Sequence, residues 1–259
     1  MMRVVKVGGR AQGDARLGPA LAAASHAHAG TAASLCVVHG GGDEVSALQR
    51  RLGLEPRFHG GRRVTSEADL EVVRMVLSGT TNKRLTAMLL SHGVRAVGIS
   101  GEDGLLFRAQ ATDPHTMGRV GGAVSVDPAV VLQLMAGGFV PVVSPLARDA
   151  GDRSPAGSGL NVNGDDAAAA LAVALGADEL VLVADVPGVL DGGQVIHTLD
   201  LERAHALVVS GVAAGGMAAK LEAAAAALHG NVPRVRIASL DGIGNPDAGT
   251  RVVLSPSPV

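Results

Sequence analysis

Apolar, β-branched runs alternate with Ala- and Leu-rich amphipathic segments along almost the whole chain. Short, mainly apolar runs bounded by glycine or polar residues predict strands at 4–7, 35–39, 96–99, 139–143, 180–184, 235–238 and 251–254. Helical periodicity between them predicts helices at 14–29, 43–52, 66–78, 82–92, 128–136, 165–175 and 217–228. Strands without a polar face, separated by helices, imply an α/β fold whose sheet is mainly parallel and covered on both sides. In such sheets ligands bind beyond the carboxyl ends of the strands, where the turns Gly8-Gly9 and Gly40-Gly41-Gly42 fall. From Leu105 to Val126 the texture changes to short β-like pieces with Gly118, Gly121 and Gly122, which predicts hairpins decorating the sheet. A shift in composition near Gly176 predicts an N-terminal lobe over 1–175 and a C-terminal lobe over 176–259.

Composition narrows the function. The hydrophobic set makes up 47% and charged residues 18%, the balance of a globular chain that can bury a large core. Lys plus Arg is 22 against 24 Asp plus Glu, with no basic block, no Trp and no Tyr. A nucleic-acid partner is not expected, because both the basic footprint and the stacking aromatics are missing. The single Cys36 lies in the apolar run Leu35-Cys36-Val37-Val38, as a small core residue would, and fits a reducing, cytoplasmic compartment. The scattered His residues and the lone Cys form no zinc-binding spacing, so no protein-held metal is expected. The first strand begins almost at Met1, which leaves no room for a signal peptide. Residues 128–147 carry no charge, but Gly137-Gly138, Pro141 and Pro145 divide them into a buried helix and strand, and no membrane association is expected.

Candidate chemistry concentrates in glycine turns and helix starts. Asn161-Val162-Asn163-Gly164-Asp165-Asp166 places amides and carboxylates directly before an Ala-rich helix. Asn and Asp are favoured caps, and a helix N-terminus also offers unpaired N–H groups and a positive dipole end to anions. With Gly8-Gly9 and Gly40-Gly41-Gly42 upstream, three anion-compatible turns point to phosphate chemistry. Lys6 sits inside an apolar strand, where a buried ammonium is costly unless it meets an anion. Lys220 taken alone fits a solvated helix position. Arg62-Arg63 fits a surface pair or a bidentate clamp for a carboxylate equally well. A Walker-type phosphate loop does not occur, and Gly242-Ile243-Gly244 fits an ordinary turn. His39-Gly40-Gly41-Gly42 could form a lipase-type oxyanion turn, but Ser100 lacks the glycine two residues later that a nucleophile elbow needs.

Taken in order, these segments resemble the amino acid kinase family. The resemblance is carried by Val5-Lys6-Val7-Gly8-Gly9, Val38-His39-Gly40-Gly41-Gly42, Gly61-Arg62-Arg63-Val64-Thr65 and Met75-Val76-Leu77-Ser78-Gly79-Thr80-Thr81-Asn82-Lys83. It continues through Ala96-Val97-Gly98-Ile99-Ser100-Gly101, Asn161-Val162-Asn163-Gly164-Asp165, Asp185-Val186-Pro187-Gly188-Val189-Leu190-Asp191, Gly215-Gly216-Met217-Ala218-Ala219-Lys220 and Gly249-Thr250-Arg251. The match is collinear over essentially the whole chain.

The resemblance implies a three-layer αβα sandwich around a mainly parallel central sheet. It implies phosphorylation of the γ-carboxylate of N-acetyl-L-glutamate by ATP, with Mg²⁺ carried by the nucleotide, as in arginine biosynthesis. By the same analogy Lys6 and Lys220 neutralise the transferring phosphoryl group and Asp165 holds both lysines. Gly41, Gly42, Arg63 and Asn161 would bind the acylamino acid. Gly8 and Gly9 would approach the phosphates, and Asp185, Val186, Pro187, Gly188, Val189, Leu190, Gly215 and Met217 would line the nucleotide site. Departures from the family pattern are Glu102, where many relatives carry Lys, Ala184 for a small hydroxyl residue, and Gly164 for a frequent Ala. The near-terminal position of Lys6 leaves no room for the extra helix of arginine-inhibited hexamers, so a homodimer without that feedback is expected. Two alternatives stay open: a kinase for carrier-protein-linked aminoadipate or glutamate, kept alive by Arg51, Arg57 and Arg62, and a non-catalytic amino-acid-sensing relative.

Overall fold

The computed structural model describes residues 1–26, 35–152 and 158–255. An eight-stranded sheet forms its centre, in the order Thr198–Asp200, Thr250–Val253, Arg234–Ala238, Glu179–Val183, Arg3–Val7, Leu35–His39, Val140–Ser144, Ala96–Ser100. Neighbouring strands run parallel except Arg234–Ala238 against Thr250–Val253. The expected strands are present to within a residue or two, joined by the edge strand Thr198–Asp200, which no sequence pattern announced.

Period-two alternation sorts the sheet residues onto two faces. Val5, Val7, Val37, Val142 and Val181 pack with Leu17 and Leu21 of the helix Leu17–His26 and with Leu85 and Leu89 of the helix Asn82–Ser91. Val4, Cys36, Val38, Leu180 and Leu182 pack on the opposite side, against Ala167, Ala168 and Leu171 of the helix Gly164–Ala174 and Leu221, Ala224 and Ala227 of the helix Gly216–His229. The αβα sandwich is therefore built from two apolar cores, one on each face. Small alanines let the second pair of helices sit close to the sheet. Residues 27–29 of the expected first helix lie outside the described residues. Burial raises the Cys36 thiol to about 12, so it stays a protonated core residue.

The sheet is continuous across the boundary expected near Gly176, since Arg3–Val7 pairs directly with Glu179–Val183. The segment expected to form decorating hairpins does more. Phe107–Ala111 and Val120–Val126 pair antiparallel, then close with Leu146–Asp149 and Gly159–Val162 into a small four-stranded barrel. Leu106, Phe107, Ala109, Ala147 and Leu160 fill it and join the core on that side of the sheet.

The two helices expected at 66–78 and 82–92 form one helical rod. Glu67–Val73 starts with a capping box between Ser66 and Asp69, and the chain passes through π-helical Arg74–Thr81 into Asn82–Ser91. Gly79-Thr80-Thr81, expected as a break, widens the helix instead of ending it. The widened turn allows the successive polar residues Thr81 and Asn82 both to be fully buried. Among the described residues no helix is long and apolar enough to cross a membrane.

Candidate active site

Strand alternation decides where Lys6 points. It shares the Val4 face of the central strand, the face covered by the helices Gly164–Ala174 and Gly216–His229. The first of these helices presents Asp165 in its opening turn, and the second presents Lys220, its fifth residue, at the start of its second turn. The three side chains meet: Lys6 Nζ lies 3.0 Å from Asp165 Oδ1, and Lys220 Nζ lies 3.1 and 3.2 Å from Asp165 Oδ1 and Oδ2. All three are buried. For Asp165, burial opposes ionisation, but the charges of Lys6 and Lys220 outweigh it and hold the carboxyl below the usual range. Lys220 is pushed below the ordinary lysine value by burial first and by the neighbouring Lys6 charge second.

Asn163 caps the Asp165 helix, its Oδ1 accepting from the Asp165 N–H at 2.7 Å. Gly164 keeps the approach open, since a β-carbon there would stand 3.2 Å from Lys6 Cε.

Two clefts open on either side of this charge cluster. The first, of ≈ 220 Å³, is walled by Lys6, Gly41, Gly42, Arg63, Asn161 and Asp165, with Val45, Leu77 and Val120 as apolar surface. Arg63 is fixed from below: it donates to the Gln49 side-chain carbonyl, to Gly42 O at 2.7 Å and to Ser46 Oγ at 2.8 Å. Its guanidinium also stacks 4.7 Å from the Phe58 ring centroid. Asn161 Nδ2 donates to Thr65 Oγ1 at 3.1 Å, which orients its carboxamide. Arg62 ion-pairs with Asp166 at 2.8 Å. All four residues expected to bind the acylamino acid therefore share one wall with Lys6 and Asp165.

The second cleft, of ≈ 530 Å³, is walled by Gly8, Gly9, Asp185, Val186, Met217 and Lys220, among others. The backbone of Gly9 is close to its neighbour, and a β-carbon on it would lie 3.2 Å from Gly41 Cα, so the two glycine turns touch. Gly215 lies on a smaller opening beside Asp165 and Arg62. Pro187, Gly188, Val189 and Leu190 do not wall the second cleft. Val189 is buried, its N–H donating to Thr250 Oγ1 at 2.8 Å, and Gly188 has no room for a β-carbon beside Thr250. These residues shape the turn behind the cleft. Among the described residues, no group of three or more His, Cys, Asp or Glu side chains is placed to hold a metal ion.

Sequence reasoning missed the scaffold under the triple-glycine turn. His39 is fully buried, with Nδ1 3.1 Å from Gly40 O and Nε2 3.1 Å from Asn82 Nδ2. Burial depresses its pKa to about 4, so the ring is neutral, with Nδ1–H donating to Gly40 O and Nε2 accepting from Asn82. Gln12 Nε2 also donates to Gly40 O, at 2.6 Å. Asn82 donates further to Val142 O at 2.8 Å. Glu102, the acidic departure, is paired with Arg74 through two hydrogen bonds of 2.7 and 3.1 Å.

A buried carboxylate holding two ammonium groups between two clefts, at the carboxyl ends of parallel strands, is a phosphoryl-transfer centre in form. The family comparison agrees: residues 1–239 match the amino acid kinase family model, and the chain belongs to that family. Among curated relatives it is 42% identical over 250 residues to acetylglutamate kinase of Chloroflexus aurantiacus (strain ATCC 29366 / DSM 635 / J-10-fl), covering 96% of this chain and 95% of that one. It is 47% identical over 201 residues to acetylglutamate kinase of Rubrobacter xylanophilus, covering 78% and 76% of the two chains. Among solved structures, the crystal structure of smu.665 from Streptococcus mutans UA159 superposes with a TM-score of 0.86 at 27% identity, covering 98% of this chain and 99% of that one.

Proposed function

We infer that the protein transfers the γ-phosphoryl group of ATP to the γ-carboxylate of N-acetyl-L-glutamate, forming the acyl phosphate and ADP. The observation that carries this reading is the Lys6–Asp165–Lys220 cluster, with Lys6 walling one cleft and Lys220 the other. The names of the curated relatives supply the substrate; the geometry supports the class of reaction.

In this reading the acylamino acid occupies the smaller cleft. Arg63 and Asn161 offer donors to its polar groups, and Val45, Leu77 and Val120 offer apolar surface to the acetyl methyl. The nucleotide occupies the larger cleft, with Gly8 and Gly9 against the phosphates. A γ-carboxyl has an unperturbed pKa of about 4.3, so the nucleophile is ionised at pH 7 and needs no general base. Its oxygen forms a bond to the γ-phosphorus as the bond to the β,γ-bridging oxygen breaks, and ADP leaves with the electron pair. Charge spreads over the equatorial phosphoryl oxygens, and Lys6 and Lys220 meet it from the two sides. Asp165 keeps two like charges together in a buried place, so the donors are positioned before the reaction begins. Mg²⁺ enters with the nucleotide as part of the substrate.

The same reading assigns acylamino-acid binding and dimer contacts to 1–175 and ATP binding to 176–259, in a cytoplasmic homodimer of the arginine pathway. Its support is the family resemblance and the division of the clefts.

The test is ADP release coupled to acyl-phosphate trapping by hydroxylamine, with N-acetyl-L-glutamate and N-acetylaminoadipate in parallel. Hydroxamate from acetylglutamate is the expected result. Folded protein that binds ATP yet yields no hydroxamate with either acid overturns the assignment in favour of a carrier-linked substrate or a sensor. Light scattering tests the dimer.

A further inference from the structure

Arg10 follows the first glycine turn and reaches across the mouth of the larger cleft. Its Nε lies 3.4 Å from Asp43 Oδ2 and its Nη1 lies 3.3 Å from Asp185 Oδ2. The three residues follow three adjacent strands: Arg10 opens the short 3-10 helix Arg10–Gly13 after Arg3–Val7, Asp43 lies in the first turn of the helix Gly42–Arg51 after Leu35–His39, and Asp185 lies on the loop after Glu179–Val183. All three wall the cleft that Lys220 closes at depth. Their side chains are largely exposed, at 75%, 75% and 55%. Exposed pairs of this kind contribute little to stability and exchange partners readily.

We propose that Arg10 is a phosphate-binding residue of the nucleotide site, held in place by Asp43 and Asp185 until a polyphosphate displaces them. This rests on the reading of the larger cleft as the nucleotide site. The electrostatics of the mouth support it. Without Arg10 the entrance would present two bare carboxylates to an anionic ligand, so the guanidinium both masks them and supplies a fork of donors for phosphate oxygens. Phosphate carries more charge than either carboxylate and therefore competes for the same donors. Asp43 works against binding in this arrangement, because the pair it makes with Arg10 must be broken first. Arginine at position 10 and aspartate at position 43 thus set nucleotide affinity in opposite directions.

Opposite signs make the test. Binding of ADP and of adenosine would be measured by calorimetry for the wild type, Arg10→Ala, Arg10→Lys and Asp43→Asn, with steady-state KM for ATP alongside. A charge-assisted hydrogen bond of ordinary strength corresponds to roughly a tenfold change. Arg10→Ala is expected to weaken ADP binding by about tenfold and raise KM for ATP similarly, with Arg10→Lys recovering part of the loss. Adenosine binding is expected to be the same in all four proteins. Asp43→Asn is expected to bind ADP more tightly than the wild type, by about twofold or more. Equal ADP affinity in the wild type and Arg10→Ala overturns the proposal. So does weakening by both Arg10→Ala and Asp43→Asn, which is the mark of a structural latch, or parallel losses for ADP and adenosine. A wild type that binds neither ligand overturns the reading of the cleft itself, a distinguishable failure.

Discussion

Replacing Asp165 by Asn keeps the shape of the cluster and removes its only negative charge. Lys6 and Lys220 would then face each other around a neutral amide, with side chains 9% and 11% exposed. At an effective dielectric of about 20, each contact near 3–4 Å is worth several kcal/mol before desolvation is counted. Breaking a buried pair by removing one partner costs about 3–5 kcal/mol, because an uncompensated charge stays behind. Asp165→Asn is therefore expected to lose about 3–5 kcal/mol of unfolding free energy at pH 7, read from urea titration. The pH dependence carries the diagnosis. The depressed carboxyl pKa means that Asp165 contributes stability above its unfolded value and loses it as pH falls through the folded value. Lys220 is depressed too, so its charged form is penalised in the native state, and stability rises with pH between its folded and unfolded values. In the variant, loss of the Lys220 proton relieves the repulsion, and the deficit should shrink as pH rises into the alkaline range. Inorganic phosphate should stabilise the variant more than the wild type, since two unpaired ammonium groups await an anion. A deficit below about 1 kcal/mol at pH 7, unchanged by pH and by phosphate, would refute a buried, mutually dependent triad.

Lys6→Ala and Lys220→Ala should each lower kcat by about 10²-fold or more, with a smaller effect on KM for acetylglutamate; full activity in either removes that lysine from the reaction. With Lys220 below its ordinary value of 10.5, activity should fall on an alkaline limb that begins below that value, and Lys220→Arg should move the limb upward in a pH–rate profile. Gly98→Ala places a β-carbon on the Asn82 carboxamide and 2.6 Å from Thr86 Oγ1. It should destabilise by about 1–3 kcal/mol, and the Asn82–His39 hydrogen bond should be lost, seen as a change in the His39 imidazole resonances.

Much of this arrangement was written in local patterns, and the rest depended on where the chain returns. Lys6 stood out because a charge in an apolar strand needs a partner, and strand alternation then fixed the face on which that partner would be found. Asp165 was visible as a cap-like residue at a helix start. Lys220 looked like any helix lysine, because nothing local records that its helix docks on the same face of the sheet as Lys6. The small barrel was only half legible: Phe107–Ala111 alternates and Val120–Val126 carries Gly121 and Gly122, whereas Leu146–Asp149 and Gly159–Val162 are too short to declare themselves without their neighbours. The π-helical turn misled for a chemical reason. Gly79 and the two threonines after it are poor helix formers, yet Thr81 bonds Glu44 at 2.9 Å and Asn82 bonds His39, so tertiary hydrogen bonds offset the local preference for a break. Arg236 shows the same limit. In sequence it is one charge within a predicted strand; in the fold it is buried, bonded to Glu179 at 2.8 Å and to the carbonyls of Gly242, Asn245 and Ala248. Lys6 and Arg236 are both strand cations under cover, but they sit differently. Every polar atom of the Arg236 guanidinium is consumed by the protein, which makes it a structural tie. Lys6 keeps one side on an open cleft, and a buried cation with an unfilled side is what an arriving anion can use.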